Sequence, residues 1–132
     1  MEHERLTHSI IGRAMTVHDA LGPGFLESVY RNALAYELRQ AGHTAECELK
    51  LQVRYRDVPV GDFVVDMVVD GRVLLELKAS RALGPVHEAQ IVHYLTATGV
   101  DVGLLLNFGA DRLEFRRKFR LFRGKDSKVQ QL

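Results

Sequence analysis

The stretch Val60-Gly61-Asp62-Phe63-Val64-Val65-Asp66-Met67-Val68-Val69-Asp70-Gly71-Arg72-Val73-Leu74-Leu75-Glu76-Leu77-Lys78-Ala79 reads as two strands, 60–69 and 72–79, joined at Asp70-Gly71, a hairpin dipeptide. Side chains alternate along a strand, so Glu76 and Lys78 share one face while Leu75, Leu77 and Ala79 take the other, toward a core. An acid and a lysine on an otherwise apolar strand need a reason, because buried charge is costly unless paired or metal-bound. The loop length decides whether Asp66 joins them. A two-residue turn opposes Val69 with Arg72 and sends Asp66 to the far face. A three-residue loop, Val69-Asp70-Gly71 with Gly71 at the left-handed bulge position, brings Asp66 and Glu76 to one face. The odd loop is expected, and acids on opposite faces would remove the metal-site reading. The other reading of this pattern is an ordinary cross-strand pair, with Lys78 matched to an acid at a solvated face.

Upstream, Leu6, Ile10, Ala14, Val17 and Leu21 recur every three or four positions, predicting a helix over 4–21 that Gly22-Pro23-Gly24 stops. A second helix is expected over 25–41, with Val29, Leu34, Ala35 and Leu38 apolar and Gly42 as C-cap. Leu49, Leu51, Val53 and Tyr55 alternate as a half-buried strand, with Pro59 in the turn after Asp57. Downstream, Gly84-Pro85 opens a third helix ending near Gly99. A buried strand over 101–108 follows, then a last strand over 113–122. The fold class is α/β (α+β), a mixed central sheet flanked by helices in the order ααβββαββ, with residues 1–132 forming a single domain.

Glu27 falls in the first turn of the second helix. The helix dipole favours a carboxylate there, and Arg31 four residues on could pair with it. On the third helix His87, Gln90 and Tyr94 share a face. That stripe suits a cleft wall, or else Tyr94 packs and His87 lies at the surface. His18 and His93 read as packing or surface residues. Between Arg112 and Lys128 there are eight Lys/Arg against two acids, a net +6 that leaves −5 for the rest of a chain of net +1. Arg116, Lys118 and Arg120 lie in this segment, which is either a phosphate contact or a charged edge strand that discourages aggregation.

The single cysteine, Cys47, excludes an internal disulfide and a multi-cysteine zinc site. No run approaches the ~20 apolar residues of a membrane span, and no signal peptide is evident, so a cytoplasmic location is expected.

Gly24-Phe25-Leu26-Glu27-Ser28-Val29-Tyr30 matches the GxxExxY pattern, with Val17-His18 and Leu21-Gly22-Pro23-Gly24 before it. Asp66, Glu76-Leu77-Lys78-Ala79, Pro85-Val86-His87-Glu88-Ala89-Gln90, Tyr94-Leu95 and Gly103-Leu104-Leu105-Leu106-Asn107-Phe108 then follow in order. Over about 8–115 the chain resembles the GxxExxY proteins of the PD-(D/E)XK nuclease superfamily, although Val65 stands where the superfamily name has proline. The resemblance implies a restriction-endonuclease-like core and a magnesium-dependent phosphodiesterase, with Mn²⁺ able to substitute. It implies Asp66, Glu76 and Glu27 as metal-site acids, Lys78 as the catalytic lysine, and Gln90 with Tyr94 as a QxxxY element. Lys78 would act electrostatically on the attacking water and the transition state. The resemblance does not assign the residues from Arg116 onward; from the basic segment and the polar stripe of the third helix, Arg116, Lys118, Arg120 and His87 are the candidate nucleic-acid contacts, with DNA expected. A homodimer or a partner protein is compatible with so small a chain. The competing reading is a non-catalytic binding or interaction module on the same fold.

Overall fold

The computed structural model describes residues 2–121 and 129–131. Helix α1 (Glu2–Leu21) and helix α2 (Glu27–Gln40) are followed by strands β1 (Ala45–Tyr55), β2 (Val58–Val69) and β3 (Val73–Lys78). Helix α3 (Pro85–Thr98), β4 (Val102–Asn107), β5 (Glu114–Phe119) and the short β6 (Val129–Gln131) complete the chain. The strands form one mixed sheet in the order β5-β4-β3-β2-β1-β6. Among the described residues only β3 and β4 run parallel, and α3 supplies the crossover that a parallel pair needs. The expected α+β class with a mixed, helix-flanked sheet is what forms.

One face of the sheet packs on α1 and α2 through Leu6, Ile10, Ala14, Leu34 and Leu38 against Val69, Leu75, Leu77, Leu104 and Leu106. The other packs on α3 through Ile91 and Leu95 against Val68, Leu74 and Leu105. A Cβ at Gly103 would lie 2.9 Å from Ile91 Cδ1, so glycine there lets α3 settle closely on β4. Among the described residues no helix is long and apolar enough to cross a membrane.

Several details differ from the sequence reading. Val29 is 37% exposed, and the core position belongs to Tyr30. Its ring stacks on Phe108 at 4.7 Å. Its hydroxyl donates to the Gly22 carbonyl (2.5 Å) and accepts from the Phe25 N–H (3.1 Å), so it ties down the turn before α2. Pro59 is not in the turn but is the second residue of β2, paired with Arg54 at a register shift that tolerates a missing donor. The turn itself is Arg56-Asp57, both at positive φ. The last strand stops at Phe119, which is 63% exposed on the edge strand. Phe122 lies outside the described residues. Strand β6, which adds to the edge of β1, was not anticipated.

The β2–β3 turn has the expected odd length, shifted by one residue. Val69 pairs with Val73 across Asp70, Gly71 and Arg72. Asp70 and Gly71 both adopt positive φ, with the Arg72 N–H donating to the Val69 carbonyl.

Candidate active site

The β2–β3 ladder runs from Val69↔Val73 to Met67↔Leu75, and the next step brings Asp66 level with Glu76. There the side chains replace the ladder. Asp66 Oδ2 accepts from the Leu77 N–H at 2.7 Å, and Glu76 Oε1 accepts from the Asp66 N–H at 3.3 Å. The two acids therefore converge, as the odd loop requires. Glu76 is 4% exposed. Burial, then the adjacent Asp66 charge and a hydrogen bond between the two carboxyl groups, push its pKa up to about 9. Two carboxylates cannot both be ionised cheaply in such a place. A hard divalent cation would relieve this, since it takes oxygen ligands and needs only one or two carboxylates beside its waters. The donor set fits such an ion.

Lys78 lies two residues further along the same face of β3, and its Nζ donates to Gln90 Oε1 on α3 at 3.1 Å. One turn beyond Gln90, Tyr94 stacks on Phe63 of β2 at 4.6 Å. Burial raises the Tyr94 pKa, and the nearby Glu76 and Asp66 charges raise it further. Asp66, Glu76, Lys78, Gln90 and Tyr94 thus form one group between β2, β3 and α3.

Glu27 stands apart from that group. It is exposed at the first position of α2. The turn before it is held by Tyr30 against Phe108, just past the C-terminal end of β4. His18 Nε2 lies 2.9 Å from the Ala110 carbonyl oxygen at the same end, which makes His18 a packing residue. Glu27 therefore shares the end of the molecule where Lys78 closes β3. Yet among the described residues no three His, Cys, Asp or Glu gather as metal ligands. Arg31 bridges to Glu48 at 3.2 Å instead of pairing with Glu27.

His87 acts locally, its Nδ1 accepting from the Gly84 N–H at 3.2 Å and so capping α3. On the basic strand, Lys118 pairs with Glu88 and Arg120 with Asp101, while the exposed Arg116 donates to the Phe115 carbonyl.

One residue of the site's frame carried no assigned role in the sequence reading. Asn107 is fully buried at the end of β4, level with Lys78. It accepts from the Ser80 and Gly109 N–H groups and donates to the Ser80 carbonyl and Glu114. Glu114 accepts in turn from the Leu83 N–H. This network fixes the chain as it leaves Lys78 for α3. Gly109 is needed beside it, because a Cβ would lie 2.4 Å from the Ala79 and Ser80 backbone. The available signal was an amide ending an otherwise apolar strand, since a buried amide must be hydrogen-bonded.

No curated protein matches the chain. Among solved structures, that of SSO0001 is similar with a TM-score of 0.57 and 18% identity, covering 74% of this chain and 52% of that one. The chain thus spans about half the length of that protein, and at this identity the likeness shows the fold alone. The family model described as the PD-(D/E)XK nuclease superfamily matches residues 4–118, nearly the whole described chain and all of the converged site. The chain belongs to the PD-(D/E)XK nuclease superfamily.

Proposed function

We propose that this protein is a metal-dependent nuclease of the GxxExxY branch, hydrolysing phosphodiester bonds in DNA with Mg²⁺, for which Mn²⁺ can substitute. The observation that carries the reading is the convergence of half-buried Asp66 with buried Glu76, with Lys78 on the same strand face. Asp66 and Glu76 would hold the ion, with Glu27 serving as a third or outer acid from the N-terminus of α2. When bound, the ion would supply charge neutralisation at the phosphate and a more acidic water. Lys78 orients the attacking water and stabilises charge developing on the phosphoryl oxygens. Gln90 holds the Lys78 ammonium in place through its Oε1. Tyr94 closes the apolar wall behind the acids by stacking on Phe63. Arg116 is the strand cation best placed to meet a phosphate, since Lys118 and Arg120 face acids of their own.

The test is to titrate Mg²⁺ or Mn²⁺ into the wild type and a Glu76→Ala/Lys78→Ala double variant, and to assay both on labelled single- and double-stranded DNA. Metal-dependent cleavage by the wild type alone is expected, with loss of Lys78 alone lowering the rate by ~10²–10³. Equal metal binding by both proteins with no cleavage by either would sink the nuclease reading in favour of a binding module.

A further inference from the structure

One rung of the β1–β2 ladder breaks the alternation of faces. The two strands keep a single register from Ala45↔Val69 to Val53↔Gly61. A strand of period two would hold residues 45, 47, 49 and 51 on one face. Instead Ala45 and Cys47 pack in the core under α1 and α2, whereas Leu49 and Leu51 pack in the core under α3. β2 does the same, with Val69 and Met67 on the α1–α2 side and Val65 and Phe63 on the α3 side. Both strands therefore turn over between Cys47↔Met67 and Leu49↔Val65, at the rung that Glu48 and Asp66 share.

Glu48 carries this turnover in its backbone, with a φ of 54°. Among the described residues, the other non-glycine residues at positive φ are Arg56, Asp57 and Asp70, which lie at hairpin turns, so Glu48 alone lies within a strand. A left-handed backbone is unfavourable for any residue with a Cβ, which crowds the following carbonyl oxygen. The Glu48 side chain offsets little of this. It is 61% exposed, and a bridge as open to water as the one it makes to Arg31 contributes little. Strain that the surroundings impose on a residue points to a geometric requirement. That requirement lies on the facing strand. The β2–β3 ladder ends at Met67↔Leu75, and from the next residue the Asp66 carboxylate takes the Leu77 N–H in place of a backbone partner. One residue beyond, Val65 is fully buried on the α3 side, and Phe63 reaches Tyr94. Without the turnover both would face away from α3, and Asp66 would stay in the regular pleat.

We infer that Glu48 is a positioning residue for the acid pair: its left-handed backbone turns β1 over opposite Asp66 and so sets the Asp66 carboxylate against the Leu77 N–H, beside Glu76. This rests on the nuclease reading and adds a residue of β1 to the machinery that shapes the site. The role belongs to the backbone of Glu48, not to its carboxylate.

The full chain is compared in EDTA with Glu48→Gly and Glu48→Val. Both variants lose the carboxylate. Glycine adopts a left-handed backbone freely, whereas a β-branched residue resists it. Amide hydrogen exchange at Leu77 reports the Asp66 carboxylate with no metal or substrate present. It is read as the ratio of Leu77 protection to that of the β3–β4 ladder amides, so that a general loss of stability cancels. Glu48→Gly should leave the ratio at its wild-type value. Glu48→Val should lower it by about tenfold or more, the order of one left-handed penalty. The Mg²⁺-induced rise in melting temperature at pH 8 should follow the same order, kept in the first variant and lost in the second. A wild-type ratio in both variants would overturn the assignment. An equal fall in both would also overturn it, by placing the role in the carboxylate and its bridge to Arg31. If Glu48→Val does not fold, Glu48→Thr, branched but polar, replaces it under the same outcomes. Wild-type cleavage in Mg²⁺ is scored separately. Cleavage with Leu77 protected in both variants removes Glu48 and keeps the nuclease, and a selective loss at Leu77 in a protein that never cleaves does the reverse.

Discussion

Glu76 keeps its proton to about pH 9 in the fold, against an ordinary value of 4.5, because it is buried beside Asp66. Between those values the unfolded chain has released a proton that the folded protein retains. Stability should therefore fall as pH rises from about 4.5 to 9 and be flat in this respect below that window. Glu76→Gln removes the effect. In EDTA, its melting temperature should exceed that of wild type at pH 8 and converge with it near pH 4.5, with a gain at pH 7 of up to about 3 kcal/mol, at ~1.4 kcal/mol per pKa unit. Parallel melting curves for the two proteins across pH 5–8 would show that Glu76 is not held protonated. Asn107 makes the complementary case. Asn107→Ala leaves the Ser80 and Gly109 N–H groups and the Ser80 carbonyl without this partner, and Glu114 with the Leu83 N–H, each half-buried polar group left unmet costing up to about 1–3 kcal/mol. Denaturant unfolding should show that loss. A change under about 0.5 kcal/mol, within the range of an ordinary surface substitution, would mean water replaces the amide.

At the scale of elements, Tyr94 joins α3 to β2 through its stack on Phe63, and it faces both acids. Ring and hydroxyl can be separated. Tyr94→Phe should retain the stack, folding stability and most of the cleavage rate. Tyr94→Ala should lose about 3–5 kcal/mol of stability, less to the extent that the site is half-buried, together with the register between β2 and α3. A Phe variant as inactive as the Ala variant would assign the hydroxyl a direct part in catalysis. This pairing was only half legible in the sequence. Asp66, Glu76 and Lys78 could be read because strand period two and Asp70-Gly71 leave a single parity in which the acids meet. The face of α3 bearing Gln90 and Tyr94 followed from helical spacing, but the true core seam, Ile91 and Leu95, was hidden by the polar stripe beside it. Tyr30 was visible as a motif letter, not as the pillar that carries the Gly22–Phe25 turn, because its partner Phe108 lies far along the chain, beyond the whole β1–β2–β3 meander and α3. β6 has three residues and no periodicity of its own, and its register comes wholly from β1.

Over the whole molecule, the parallel strands β3 and β4 end together, and α2 and α3 both begin at that end. The fold so concentrates the N-termini of α2 and α3, Lys78 and the converged acids at one end of the sheet. Without an ion, the acid pair opposes folding above pH 4.5, and metal binding should both expel the Glu76 proton and reverse that penalty. Mg²⁺ should accordingly raise the melting temperature, by about 2.7 kcal/mol of stability at a hundredfold excess over Kd. For a chain of this size that is of order 10 °C. The shift should be larger at pH 8 than at pH 5.5, where protons compete for Glu76, and calorimetry in buffers of different ionisation enthalpy should detect release of up to one proton per ion bound. Asp66→Ala should abolish the shift, whereas Glu27→Ala should only reduce it, since Glu27 stands outside the converged pair. An unshifted melting temperature in Mg²⁺ at pH 8, or the same shift in wild type and Asp66→Ala, would remove the ion from the acid pair. If Glu27→Ala abolished the shift as fully as Asp66→Ala, α2 would have to close on the sheet when the ion binds, and the exposed carboxylate at its first turn would be a ligand held in reserve.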